Sequence, residues 1–104
     1  MTSRATLTPD DTRAALSGSA FRHVGDRLEA DFRTGDFATG ARFVAAIAED
    51  ADELGHHPDL TLSYGTVGAR LSSHDAGGVT TRDLDLARRI DDAARAMGIA
   101  ATDT

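Results

Sequence analysis

Twice along the chain, two short segments of alternating apolar and polar residues face each other across a glycine-containing turn, and each pair is followed by helical periodicity. The first pair is Phe21-Arg22-His23-Val24 and Leu28-Glu29-Ala30-Asp31-Phe32, joined at Gly25-Asp26. The second sets Leu60, Leu62 and Tyr64 against Val67, Ala69 and Leu71 across Gly65-Thr66. Between the pairs, Asp36 is placed to cap a helix whose apolar face is Phe37, Ala41, Val44, Ile47, Ala48, Ala51 and Leu54, ending near Gly55. At the front, Thr8-Pro9-Asp10-Asp11 offers a capping hydroxyl, a proline at the first helical position and acids in the first turn, which predicts a short helix to about Leu16. After the second pair, Thr80 with Asp83 three residues on has capping-box spacing, and Leu84, Ala87, Ile90, Ala94 and Met97 would face the core of a last helix. Hairpins and helices in this order predict an α+β domain, a four-stranded antiparallel sheet with three helices packed on one face.

One core suffices for 104 residues. The domain is expected over residues 7–97, with loose tails at 1–6 and 98–104, the second following the helix-stopping Gly98. No GxGxxG or GxxxxGK[ST] is present, and nothing suggests a parallel nucleotide-binding sheet.

Composition removes several chemistries. All 11 basic residues are Arg, so lysine Schiff bases and P-loop lysines are excluded, and the absence of Cys excludes thiolate nucleophiles, disulfides and cysteine-bound metal. A net charge of −6 has the wrong sign for a phosphate-backbone surface, so no nucleic-acid partner is expected. No run approaches the ~20 apolar residues of a membrane span and no signal peptide is evident, so no membrane partner is expected and a cytoplasmic location is.

Three of the four histidines stand at segment ends: His56 and His57 at a helix exit before Pro58, and His74 at a strand exit before Asp75-Ala76-Gly77-Gly78. Segment ends let side chains converge on a ligand, and an imidazole with an ordinary pKa near ~6.5 suits proton transfer. Pro58 biases His57 toward extended backbone, in which neighbouring side chains diverge, so the pair fits opposite sides of a ligand better than one metal ion. The plainer reading stays open: histidines after a helix are favoured by its dipole, and His74 can be a loop residue. Zinc is a further alternative, although the spacing lacks the shared helical face of HExxH. Asp83 can serve as a cap alone. Asp52 and Glu53 can be solvated charges, or a carboxylate there can orient an imidazole. His23, alone on an expected exposed strand face, carries no assigned role. His56 and His74 are both expected to border an open cleft.

The run Asp52-Glu53-Leu54-Gly55-His56-His57-Pro58, followed by Tyr64, His74 and Asp83, resembles the signature of the pterin-4a-carbinolamine dehydratase family. Ser72-Ser73-His74 through Gly78-Val79-Thr80-Thr81-Arg82-Asp83 and Leu86-Ala87 is similar to a second segment of that family, and the likeness extends over roughly residues 7–97. It implies the same α+β fold and the dehydration of 4a-hydroxytetrahydropterin to quinonoid dihydropterin, recycling a tetrahydropterin. It further implies catalysis by His56, His57, His74 and Asp83 with Asp52 in support. Pro58, Ser73, Asp75 and Ala76 would hold the pterin, with no metal or cofactor, in a homodimer or homotetramer. Relatives on this fold that serve as dimerisation or assembly modules imply a non-catalytic alternative. Leu60 stands where the family usually has an aromatic residue.

Overall fold

The structure is a computed structural model that describes residues 6–102. Its elements are α1 (Pro9–Thr12), β1 (Arg22–Val24), β2 (Arg27–Arg33), α2 (Phe37–Leu54), β3 (Asp59–Ser63), β4 (Thr66–Leu71), α3 (Thr81–Ala96) and β5 (Ala100–Ala101). The sheet is antiparallel in the order β1-β2-β4-β3, which is the α+β architecture the periodicity predicts.

Alternation along β2 sends Leu28, Ala30 and Phe32 into the core and Glu29, Asp31 and Arg33 to the opposite side. Register then lines up Leu28 with Leu71 and Phe32 with Val67 on the helix side. Phe32 anchors this layer, meeting Phe21 edge-on at 6.1 Å and Phe43 at 5.0 Å. The face that α2 buries runs through Gly40, Phe43, Ile47 and Ala51; it shares Ile47 and Ala51 with the expected stripe, Val44 and Leu54 pack at its margin, and Phe37 is 51% exposed at the helix start. Gly40 sets how closely α2 lies on the sheet, since a Cβ there would fall 2.6 Å from Leu62 Cδ1.

Several boundaries differ from expectation. α1 is regular only to Thr12; beyond it the chain continues in turns, with Leu16 N–H donating to Thr12 O at 3.0 Å. Part of the expected C-terminal tail is a strand: Ala100 and Ala101 pair with Arg33 and Phe32, and Ile99 is buried. β2 therefore carries β1 along its first half and β5 along its second. The expected N-terminal tail lies, up to residue 5, outside the described residues. His23 does not sit on the open face. It is paired with core residue Leu28, half-buried, and its Nδ1 lies 2.8 Å from Thr12 Oγ1 of α1. Among the described residues no helix is long and apolar enough to cross a membrane.

Candidate active site

α2 stops at Gly55, whose left-handed backbone (φ 66°) closes the helix end, with His56 N–H returning to Ala51 O at 3.1 Å. This stop delivers His56 to the start of α3. There Asp83, the third residue of the capping box, accepts from Thr80 N–H at 2.9 Å, from Ser73 Oγ at 2.8 Å and from His56 Nε2 at 2.5 Å. Asp83 is fully buried and the His56 side chain is 11% exposed, so three donors replace the water the carboxylate has lost. The carboxylate accepts, which fixes His56 with its proton on Nε2 and its Nδ1 lone pair facing away. Among the described residues Nδ1 has no hydrogen-bond partner.

His57 turns the other way. Its Nε2 lies 2.9 Å from Asp52 Oδ1 in the last turns of α2, an exposed pair with side chains 64% and 79% accessible. The two adjacent histidines thus each take a separate carboxylate, as divergence in extended backbone requires.

Ser73 opens a closed loop: its N–H donates to Gly78 O at 2.9 Å, and its carbonyl accepts from Ala76 and Gly77. Its side chain is buried on Asp83 and Thr80. Ser73, expected to touch ligand, therefore spends its polar groups inside the protein and braces the loop; Ala76 has likewise given its N–H to Ser73 O. Asp75 is held by Arg82 at 2.8 Å. Next to Ser73, His74 is exposed and lines a cavity of about 270 Å³ together with Asp26, Arg27, Asp59, Arg70, Ser72 and Gly77. That volume is near the low end for small-molecule sites.

The expected convergence of His56, His57 and His74 on one pocket does not occur: only His74 lines this cavity, because His56 turns into Asp83 and His57 back to Asp52. His56 is coupled to the His74 loop through Asp83 and Ser73. His57 stands two residues before Asp59, the spacing that presents extended side chains to one side. Pro58, half-buried, lies between them. Arg27, Arg70 and Asp59 were not singled out as site residues by sequence; the available signal was their place at polar-outward strand positions. Leu60, where an aromatic would be usual, pairs with core residue Ala69 and packs on the helix side of the sheet, away from the cavity-lining set. Tyr64, the aromatic of the signature, is 78% exposed at the opposite end of β3. Among the described residues no three His, Asp or Glu side chains are grouped to hold a metal ion.

The fold and site define a small α+β domain in which His56 and His57 each take a carboxylate and His74 lines an open cavity, residue types suited to acid/base chemistry. Matching over residues 5–93 to the family model for pterin 4 alpha carbinolamine dehydratase, the chain belongs to that family. Two relatives carry the same name provisionally: one from Thermosynechococcus vestitus, 42% identical over 85 residues (81% of this chain, 90% of that one), and one from Streptomyces avermitilis, 45% identical over 90 residues (86% and 87%). Among solved structures, one described as a transcriptional coactivator/pterin dehydratase from Brucella melitensis superimposes with a TM-score of 0.79 at 30% identity, covering 86% of this chain and 98% of that one. Another, described as a pterin dehydratase-like RuBisCO assembly factor of the alpha-carboxysome, gives 0.61 at 26% identity over 72% and 89%.

Proposed function

We propose that this chain converts 4a-hydroxytetrahydropterin to quinonoid dihydropterin and water by histidine acid/base catalysis, with no metal or cofactor. The observation that carries the reading is the buried Asp83 behind His56. In the reaction the C4a–OH bond breaks, the N5–H proton leaves, and a C4a=N5 bond forms. One group must accept the N5 proton while another protonates the departing hydroxyl. His56 is arranged as the acceptor: its Nε2–H is committed to a carboxylate, which orients the ring and leaves Nδ1 as its open nitrogen. His74, exposed on the cavity and with no hydrogen bond to its ring among the described residues, is free to give a proton to the leaving oxygen. His57, oriented by Asp52, borders the same side as Asp59 and assists in holding the ring. Pro58, Asp75 and Ala76 are assigned to the substrate on the strength of the family resemblance, and Ser73 acts through Asp83.

The test follows the decay of enzymatically generated 4a-hydroxytetrahydropterin with and without the protein, in the presence of chelator. Acceleration that persists in EDTA supports the reading. No acceleration by a folded protein would favour the assembly-module alternative, which the RuBisCO-assembly description of one structural relative makes worth separating. A homodimer or homotetramer in solution is part of the same proposal and is measured by sedimentation.

A further inference from the structure

Across the open face of the sheet, register sets four charged residues in one row: Arg22 on β1 opposite Glu29 on β2, Glu29 opposite Arg70 on β4, and Arg70 opposite Asp59 on β3. The signs alternate along the row, yet the pairing is not shared evenly. Arg70 leans toward β2: its NH1 donates to Ala30 O at 3.3 Å and Ala69 O at 3.0 Å and lies 3.5 Å from Asp31 Oδ1, while its Nε is 3.8 Å from Glu29. Glu29 also takes Arg27 Nε at 2.5 Å. The side chain of Asp59, the cross-strand neighbour of Arg70, has no hydrogen bond or ion pair among the described residues, and it lines the cavity with His74.

Both cavity guanidiniums are thus compensated from β2, and among the described residues the charged side chains still open, Asp59 and Asp26, are acceptors. The cavity calls for a ligand edge that donates. Asp26 also lines it, but on the Gly25-Asp26 turn, whereas Asp59 is fixed in a paired strand immediately after the His-His-Pro segment, and sites on regular elements are held more tightly.

We propose that Asp59 is a specificity residue that accepts the 2-amino and N3–H donors of the substrate's amino-pyrimidine edge. Those two parallel N–H groups have the spacing of a guanidinium fork, which a carboxylate meets with both oxygens. The assignment rests on the dehydratase reading above and adds to it the end of the ring that the cavity reads.

The test uses two unreactive probes, 6-methyl-7,8-dihydropterin and 6-methyl-7,8-dihydrolumazine, which differ by an amino group in one and a carbonyl in the other at position 2. Wild-type protein should bind the pterin about 10–100-fold more tightly, the usual worth of hydrogen bonds to a charged group. In Asp59→Asn that preference should fall to within about threefold, because an amide can donate to the carbonyl. In turnover the same variant should raise KM and leave kcat nearly unchanged, and Asp59→Glu should recover part of the preference. Asp59 is exposed, so a melting curve verifies that each variant folds. Undiminished preference or unchanged KM in Asp59→Asn, alongside normal turnover by the wild type, would overturn the Asp59 assignment alone. Failure of the wild type both to bind the pterin and to turn over substrate would overturn the dehydratase reading, and Asp59 with it.

Discussion

His56 and Asp83, 27 positions apart, meet at 2.5 Å where the C-terminus of α2 abuts the N-terminus of α3. One carboxylate thereby caps a helix, holds the Ser73 loop and fixes an imidazole. Arg89 reinforces the same junction from α3 by pairing with Asp50 and Glu53 of α2.

Replacing Asp83 should consequently cost far more than a cap. Asp83→Ala strips the acceptor from three donors in a buried place, and each buried donor left unsatisfied costs about 1–3 kcal/mol, against about 1 kcal/mol for an exposed N-cap. Urea denaturation of wild type and variant measures the difference. A loss no larger than that of an exposed cap would mean that water replaces the carboxylate and that the network is not what holds His56.

His74 and His56 should separate in stability although both reduce turnover. The expectation that both border an open cleft holds for His74 alone; His56 is mostly buried against Asp83. His74→Ala should lower kcat by about 10²–10⁴-fold, the range for a positioned acid or base, with stability shifted by no more than about 0.5 kcal/mol. His56→Ala should also lower the melting temperature, because it leaves the buried carboxylate short of a donor. Equal melting temperatures with equal activity losses would contradict this division.

Much of this arrangement is legible in the sequence because its signals are local. Capping at Thr8, Asp36 and Thr80, the stop at Gly55 and the alternation in β2 and β4 each depend on a few neighbouring residues, and each appears in the structure. What sequence reading misses depends on contacts between distant elements. Asp91 looks like a surface acid on α3, yet it is buried and accepts from Ser19 Oγ at 2.5 Å and Ala20 N–H at 3.1 Å, pinning the loop after α1. The two-residue β5 is too short for any periodicity and exists because β2 has an open edge beyond β1. Phe37 fits the helical spacing but lies beyond the part of α2 that the sheet covers. The wiring of His57 to Asp52 and His56 to Asp83 could be proposed from residue types; the cavity with Asp59 and Arg70 could not, because it depends on strand register.

Acid should weaken the α2 cap in a defined direction. Accepting from Thr39 N–H at 2.7 Å holds the Asp36 carboxyl below its ordinary value of 3.8. Its contribution is therefore complete above the unfolded value and is lost as pH falls through the lower folded one. The melting-temperature gap between wild type and Asp36→Ala should be constant near neutrality and narrow in strong acid. A gap that widens toward acid would reverse the sign and rule out the carboxylate cap as its source.

Gly40→Ala tests how tightly α2 is seated. The added methyl would stand 2.6 Å from Leu62 Cδ1 and 3.3 Å from Thr34 Oγ1, and overpacking of this kind costs about 1–3 kcal/mol even though alanine is the better helix former. Shortening Leu62 to Val in the Gly40→Ala background should recover part of the loss. Stabilisation by Gly40→Ala alone would show that the helix shifts freely over β3.

The exposed pair of His57 and Asp52 should matter to turnover and not to folding. Surface ion pairs are worth about 0–1 kcal/mol, and both side chains are more than half accessible, so neither Asp52→Asn nor His57→Ala should unfold the domain. In catalysis the two are expected to act as one unit, Asp52 by orienting the ring and His57 by contacting the ligand. A double-mutant cycle on kcat/KM decides this: once His57 is gone, Asp52→Asn should have almost no further effect, giving a coupling energy close to the whole effect of the Asp52 substitution alone. Additive losses would mean that Asp52 acts on the substrate by some other route, or that His57 holds its orientation without it, and the carboxylate would then lose its supporting role while His57 kept its own.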